Sequence, residues 1–145
     1  MRIAVQEAPF DAGAEIAAFG GGANVGAVVT FTGIVRDDTG RMTALELEHY
    51  PAMTETAITR IAEEAMARWD LADCLVIHRF GRLAVGEPIM MVATAARHRA
   101  AAFAAAEFLM DYLKSRAPFW KKEIGPEGEA WVAAKEADEA ALKRW

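Results

Sequence analysis

The sequence has a single cysteine, Cys74, among its 145 residues. No internal disulfide can therefore form, and a cysteine-based zinc site is not expected. The motifs HExxH, CxxC, GxSxG and the P-loop are also absent, which leaves metal hydrolases, dithiol oxidoreductases, α/β-hydrolases and P-loop NTPases without support. We expect no cofactor and no metal, and we interpret Cys74 as an inert residue of a buried strand.

The sequence also lacks an excess of positive charge and a long apolar run. Sixteen Lys and Arg face 21 Asp and Glu, a net charge of −5, whereas a nucleic-acid-binding protein is usually basic. The longest largely apolar stretch, Ile89 to Ala96, falls far short of the ~20 residues that span a bilayer. The first ten residues lack the apolar core of a signal peptide. These features predict a cytoplasmic protein that binds neither nucleic acid nor membrane.

What the sequence does contain is typical of a globular domain. Hydrophobic residues make up 54% and charged residues 26%, and 32 of the residues are alanine, which favours helices. A chain of this length can bury a core without disulfides. We expect residues 1–145 to form one domain.

Hydrophobic periodicity predicts alternating strands and helices. Residues 54–69 carry apolar side chains on one face, with Thr54 as the expected N-cap. Pro118 is expected to end the predicted helix 100–115, because proline cannot continue the hydrogen-bond ladder of a helix. The short turns between several strands favour a mixed α+β fold over a doubly wound parallel sheet. The predicted strands are 26–35 (buried), 43–50, 74–80 and 89–95, and the predicted helices are 11–19, 54–69, 100–115 and about 133–145.

Positive charge is concentrated in one part of the sequence. Between positions 97 and 122 lie six Lys and Arg against two acidic residues. This local reversal of sign suggests a site for an anion such as a phosphate or a carboxylate. The alternative is a solvated helix with ordinary surface charge.

Lys114 and Lys121 lie on either side of Pro118 in this segment. Phe119 and Trp120 could form the wall of a pocket that excludes water, and lysines in such a pocket have lowered pKa values and can act as acid, base or nucleophile. Alternatively, Lys114 is a favourable charge at a helix C-terminus and the two aromatic residues belong to the core.

Three further basic residues could bind the anion. His98 and Arg99 fall where a strand ends and a helix begins, a position at which free backbone N–H groups favour anions. Arg36 follows the predicted strand 26–35. Each could instead be an ordinary surface or loop residue. We interpret His49 and His78 as scaffold histidines on strands.

Several segments carry a family resemblance. FLMDYLKSRAPFWKKE at 108–123 closely resembles the signature of the large, catalytic subunit of molybdopterin synthase. Further similar segments occur in the same order, and only residues 1–25 match poorly. They are GAVVTFTGIVR (26–36), LELEHYPAMTE (45–55), VIHRFGRLAVGE (76–87) and PEGEAWVAAKEAD (126–138).

The resemblance implies an α/β hammerhead-type fold, with a mixed or antiparallel sheet packed against helices, and a homodimer. Each subunit would bind one small ubiquitin-like sulfur carrier, giving a heterotetramer. The thiocarboxylate at the carrier's C-terminal Gly-Gly would supply sulfur to cyclic pyranopterin monophosphate, forming the dithiolene of molybdopterin. This sulfurtransferase reaction belongs to molybdenum cofactor biosynthesis.

The resemblance also assigns residues. The family's catalytic lysines match Lys114 and Lys121. Relatives can have lysine at position 34, so Arg36 is the cation expected to act there. The substrate-binding positions match Ile34, Val35, Arg36, His98, Arg99, Lys121, Lys122 and Glu123.

A second hypothesis comes from a different functional class. A protein with the same fold and the same basic pocket could dock an acidic peptide tail without catalysing a reaction, as an adaptor module. Dithiolene formation with a thiocarboxylated carrier would separate the two hypotheses.

Overall fold

A computed structural model describes all 145 residues as eight strands and four helices. A short 3₁₀ turn, Leu142–Arg144, follows the last helix. The strands are β1 (Arg2–Gln6), β2 (Ala27–Ile34), β3 (Ala44–His49), β4 (Asp73–Arg79), β5 (Gly81–Ala84), β6 (Pro88–Ala96), β7 (Phe119–Gly125) and β8 (Gly128–Trp131). The helices are α1 (Ala12–Ala18), α2 (Pro51–Arg68), α3 (Arg99–Arg116) and α4 (Glu136–Ala141).

The strands form two four-stranded sheets. The first sheet has the order β1-β4-β6-β2, in which only the β1–β4 pair is parallel. The second sheet has the order β5-β3-β7-β8 and is antiparallel throughout. The prediction of a mixed α+β fold is confirmed. Residues 1–25 contribute β1 and α1, whose neighbours Phe10 and Phe19 pack on the first sheet.

Helices α2 and α3 pack together, and their apolar faces supply much of the core. On α2, the predicted face includes Ile58, Ala62 and Ala65, each fully buried. On α3, Phe108 and Leu109 are fully buried. No helix is long and apolar enough to cross a membrane.

The start of α2 differs from the prediction. The helix begins at Pro51 with Tyr50 as its N-cap residue, so Thr54 lies inside the helix. The Thr54 hydroxyl donates to the Tyr50 carbonyl at 2.9 Å and accepts from His49 Nδ1 at 3.2 Å. The predicted N-cap was wrong because proline suits the first helical turn, where its missing N–H costs nothing.

The prediction of a buried strand at 26–35 was also wrong in part. β2 lies at the edge of the first sheet, and its outer side has no strand partner. Val28, Phe31 and Ile34 are exposed by 41%, 42% and 50%. β-Branched composition indicated a strand correctly, but it could not distinguish an edge strand from a central one.

Helix α3 sets the positions of the predicted site residues. It follows β6 directly, with His98 as N-cap residue, and it ends at Arg116. Ala117, before Pro118, is extended (φ −80°, ψ 127°), which confirms the predicted helix end. The chain then enters β7, which the sequence analysis had not identified as a strand.

Candidate active site

Lys114 and Lys121 meet where α3 gives way to β7. Lys114 lies in the last turn of α3 and Lys121 is the third residue of β7, with the bend at Pro118 between them. The two side chains lie close enough for the charge of Lys114 to lower the pKa of Lys121.

Lys121 gives up its proton more readily than an ordinary lysine. The pKa of Lys121 is lowered to about 8, mainly by burial, and the charge of Lys114 contributes to this shift. A lysine in this state has both amine and ammonium forms available near neutral pH, as general acid–base catalysis requires. The site therefore contains, beside Lys114, a lysine that can exchange a proton near neutral pH.

His78 and Phe119 form a wall of this site. Phe119 stacks on the His78 imidazole with ring centroids 3.8 Å apart and an interplanar angle of 17°. His78 Nδ1 lies 2.9 Å from the Arg79 carbonyl oxygen, which only accepts, so Nδ1 carries the proton. Burial lowers the pKa of His78 to about 4, and the charges of Lys121 and Lys114 contribute. A neutral ring thus faces the lysine pair.

Trp120 does not belong to this wall, contrary to the prediction. Side chains alternate along β7, so Trp120 points to the face opposite Phe119 and Lys121. It is 42% exposed and meets Tyr50 edge-on at 4.7 Å.

Lys122 and Glu123 also separate on the two faces of β7. Lys122 Nζ lies 3.2 Å from both Glu46 and Glu129, and these carboxylates raise its pKa. Glu123 is exposed. Because side chains alternate along a strand, Glu123 is on the same face of β7 as Lys121, and Lys122 is on the opposite face.

Arg36 lies at the same end of the molecule as the lysine pair. Arg36 follows Val35, which comes directly after β2 and is 3% exposed. The backbone of Val35 forms hydrogen bonds with the backbones of Gly86 and Glu87. Ile34, by contrast, is half exposed. The Arg36 side chain is exposed and pairs with Asp38 at 2.8 Å, so a ligand would have to displace a weak surface ion pair.

His98 and Arg99 lie at the other end of α3. Sixteen residues of helix place His98 about 24 Å from Lys114. This corner packs tightly on β2, since a Cβ added at Gly26 would come within 2.3 Å of the Arg97 carbonyl oxygen. Within one chain, the basic residues of 97–122 therefore do not form one pocket, contrary to the sequence-based expectation. These residues are close in the sequence, but the straight helix α3 places them at opposite ends of its length.

Two groups near Lys121 were not predicted as site residues. They are His78, which was interpreted as a scaffold residue, and Asp138 of α4, whose charge acts on Lys121. Neither has a motif around it, and both approach the site through strand pairing and helix packing. The only signal in the sequence was that His78, followed by Arg79, comes directly after the apolar run 74–77 of its strand.

The fold and the site define a class of protein: an α+β domain in which two lysines from neighbouring elements lie close together in one site. The comparisons with known proteins are more specific. The family model described as MoaE protein matches residues 5–116. The molybdopterin synthase catalytic subunit of Cereibacter sphaeroides is 69% identical, covering 100% of both chains. That of Mesorhizobium japonicum is 57% identical, covering 99% of this chain and 92% of the relative.

A solved structure agrees with the sequence relatives. The molybdopterin biosynthesis MoaE protein from Burkholderia ambifaria has a TM-score of 0.84 and 52% identity, covering 99% of this chain and 96% of the other. The chain belongs to the MoaE protein family. It is a sulfur-transferring enzyme of molybdenum cofactor biosynthesis, and its role is that of the catalytic subunit.

Proposed function

We propose that this chain transfers sulfur from the C-terminal Gly-Gly thiocarboxylate of a small ubiquitin-like carrier to cyclic pyranopterin monophosphate, forming the dithiolene of molybdopterin. The observation that carries this proposal is the closeness of Lys114 and Lys121 on either side of the bend at Pro118, where the charge of Lys114 lowers the pKa of Lys121. Both reactants are anions, and a protein of net charge −5 needs a local cationic site to bring them together.

The two lysines have different roles in this proposal. Lys114 orients the thiocarboxylate and stabilises the charge that develops on its carbonyl oxygen. Lys121, with its pKa of about 8, donates or accepts the proton at the pterin side chain. The neutral His78 and the ring of Phe119 shield Lys121 from water, whereas Lys114 is exposed and can meet the incoming thiocarboxylate. Glu123 lines the same face.

The carrier would dock beside the lysine pair, near Pro118 to Lys122. The outward side of this region has an exposed apolar surface formed by Tyr50, Met53 and Trp120, which are exposed by 57%, 62% and 42%. An exposed cluster of this kind, rich in aromatic side chains, is typical of a protein interface. The relatives' name, catalytic subunit, supports the presence of a second subunit.

A homodimer would complete the substrate site. β2 offers a free edge and exposed apolar side chains to a second copy. Antiparallel pairing of two β2 edges would bring the start of one strand to the end of the other. Arg99 of the second copy would then approach Arg36 and the lysine pair of the first. With one carrier per subunit, the assembly is a heterotetramer.

In this assembly, the position of each basic residue determines its role. His98 and Arg99 of the second copy bind the phosphate or the pterin, and Arg36 of the first copy assists. Ile34 and Val35 contribute to substrate binding through their backbone, which positions Arg36. Lys122 orders β7 through its ion pairs with Glu46 and Glu129. Residues 1–145 act as one domain in the cytoplasm.

Single-turnover dithiolene formation with thiocarboxylated carrier and pyranopterin tests the proposed reaction. Lys114→Ala and Lys121→Ala should each lower the rate by about 10²–10⁴ while the protein stays folded. Lys143→Ala, which removes an exposed lysine, is the matched control and should react at the parental rate. A parental rate in Lys121→Ala would refute the assignment. A parent protein that binds the carrier but forms no dithiolene would instead be an adaptor.

Mixing two inactive variants tests the shared site. In a Lys121→Ala/Arg99→Ala mixed dimer, one site contains both substitutions and the other contains none. Random exchange should therefore restore about a quarter of the parental activity, since half of the dimers are mixed. Sites built within one chain would each keep a substitution, and no activity would return.

A further inference from the structure

Arg79, the last residue of β4, is a buried cation with no role in the reaction proposed above. It is 5% exposed. Its Nε and Nη2 donate to the carbonyl oxygen of Glu7 at 3.1 and 3.0 Å, and its Nη1 donates to that of Pro88 at 3.2 Å. The carboxylate of Glu87 lies 3.7 Å from Nη1, too far for a hydrogen bond, so the buried charge is compensated only in part.

Stability alone is a weak reason to bury such a charge. A guanidinium loses its hydration on burial, and an apolar side chain of similar volume is often as stable at the same place or more stable. The hydrogen bonds of Arg79 do fix three segments relative to one another: the residue after β1, the end of β4 and the start of β6. This arrangement favours a role in positioning.

The turn between β5 and β6 is the segment that Arg79 holds in place. Pro88, whose carbonyl oxygen accepts from Arg79, is the first residue of β6. Glu87 precedes it and closes the turn on Ala84: its backbone N–H donates to the Ala84 carbonyl at 3.1 Å, and its carboxylate accepts from the Ala84 N–H at 2.8 Å. The same carboxylate is the one that faces the Arg79 guanidinium.

This turn in turn holds the backbone next to Arg36. Val35 N–H donates to the Glu87 carbonyl at 2.9 Å, and Gly86 N–H donates to the Val35 carbonyl at 2.8 Å. The register between β2 and β6 shifts at the last residue of β2, so these two bonds hold the chain beyond that irregularity. The Arg36 side chain is 72% exposed and bonds only to Asp38, so its position depends on this backbone.

We propose that Arg79 is a positioning residue for Arg36, because it fixes the turn 84–87 to which the backbone before Arg36 is bonded. This inference rests on the proposed role of Arg36 in binding the substrate. A guanidinium suits the task, since its planar fork donates to Glu7 on one side and to Pro88 on the other.

Arg79 also links Arg36 to the wall of the lysine site. Its carbonyl oxygen accepts from His78 Nδ1 at 2.9 Å, and the His78 ring stacks on Phe119. The side chain of Arg79 therefore anchors the loop that carries Arg36, while its backbone orients the ring beside Lys121. One residue connects the substrate-binding cation with the lysine pair.

Arg79→Lys tests the proposal, because lysine keeps the charge but cannot bridge the two carbonyl groups in the same way. In single-turnover reactions with saturating thiocarboxylated carrier, the half-saturating concentration of pyranopterin should rise about three- to tenfold, since Arg36 must then be ordered on binding. The rate at saturation should stay parental, as expected when only binding is weakened. Arg2→Lys, an exposed change at the opposite end of the β1–β4 pair, is the matched control and should leave both values unchanged.

A double variant shows whether Arg79 acts through Arg36. If it does, Arg79→Lys should add nothing to the higher half-saturating concentration of Arg36→Ala. Independent, additive increases would overturn the proposal. A lower saturated rate with an unchanged half-saturating concentration would overturn it as well, because that result indicates a general structural role.

Amide hydrogen exchange measures the hold on the loop without any reaction. The N–H groups of Val35 and Gly86 should exchange faster in Arg79→Lys than in Arg2→Lys. If Arg79→Lys does not fold, Glu87→Ala loosens the same turn from a partly exposed position and should give the same results. Parental exchange in the folded variant would overturn this inference while leaving the proposed function intact. A parental half-saturating concentration in Arg36→Ala would instead refute the proposed substrate role of Arg36, and the inference with it.

Discussion

Acidification should destabilise this protein through His78. The imidazole is 7% exposed, stacked on Phe119, and neutral in the folded state. Its pKa is lowered from 6.5 to about 4, mainly by burial. Above pH 6.5 neither the folded nor the unfolded state protonates this residue. Below pH 6.5, His78 is protonated in the unfolded state but stays neutral in the folded state. The free energy of unfolding therefore decreases as the pH falls toward 4.

The magnitude follows from the two pKa values. A difference of about 2.5 between 6.5 and 4 corresponds to about 3 kcal/mol of unfolding free energy by pH 4. No large discount for solvent screening applies because the ring is buried. A loss of this size is a substantial part of the ~5–15 kcal/mol that stabilises a typical domain.

Urea unfolding at fixed protein concentration between pH 7 and pH 4 measures this effect. The comparison is His78→Asn, whose side-chain amide can still donate to the Arg79 carbonyl but does not titrate. The variant will be less stable at pH 7 because it loses the stacked ring. Its stability should nevertheless fall by about 3 kcal/mol less than that of the parent over this pH range. Parallel pH dependences in the two proteins would refute the reasoning.

Two further predictions concern Cys74 and the chemistry of Lys121. Cys74→Ser should retain sulfur transfer, because the thiol is fully buried and burial raises its pKa to about 12. Chemical denaturation should show a loss of about 1–3 kcal/mol if the hydroxyl lacks a partner, and a folded, carrier-binding variant without activity would contradict the prediction. Lys121→Arg should not rescue single-turnover activity, because a guanidinium stays protonated near neutral pH. A parental rate in that variant would mean that only the charge matters.

The elements that depend on local pattern were predictable. The apolar face of α2 follows from the 3.6-residue period, and the end of α3 follows from the restriction that Pro118 places on Ala117. The buried position of Cys74 follows from its apolar strand. In each case the physical cause lies within a few residues of the position concerned.

β7 was missed because its pattern is mixed. Phe119, Lys121 and Glu123 share one face while Trp120 and Lys122 share the other, so neither face is uniformly apolar. The strand exists because β3 and β8 pair with it on both sides. A strand specified by its neighbours has no clear signature in its own residues.

The sequence by itself determined the chemical inventory of the site: a helix that ends at a proline, a lysine before it and a lysine after it, and a local excess of positive charge. Tertiary structure alone decided which of these residues meet. The length of α3 separates His98 and Arg99 from Lys114, whereas the bend at Pro118 brings Lys121 back to it. Burial and the nearby charge of Lys114 then lower the pKa of Lys121, because desolvation and long-range electrostatics depend on distances in space.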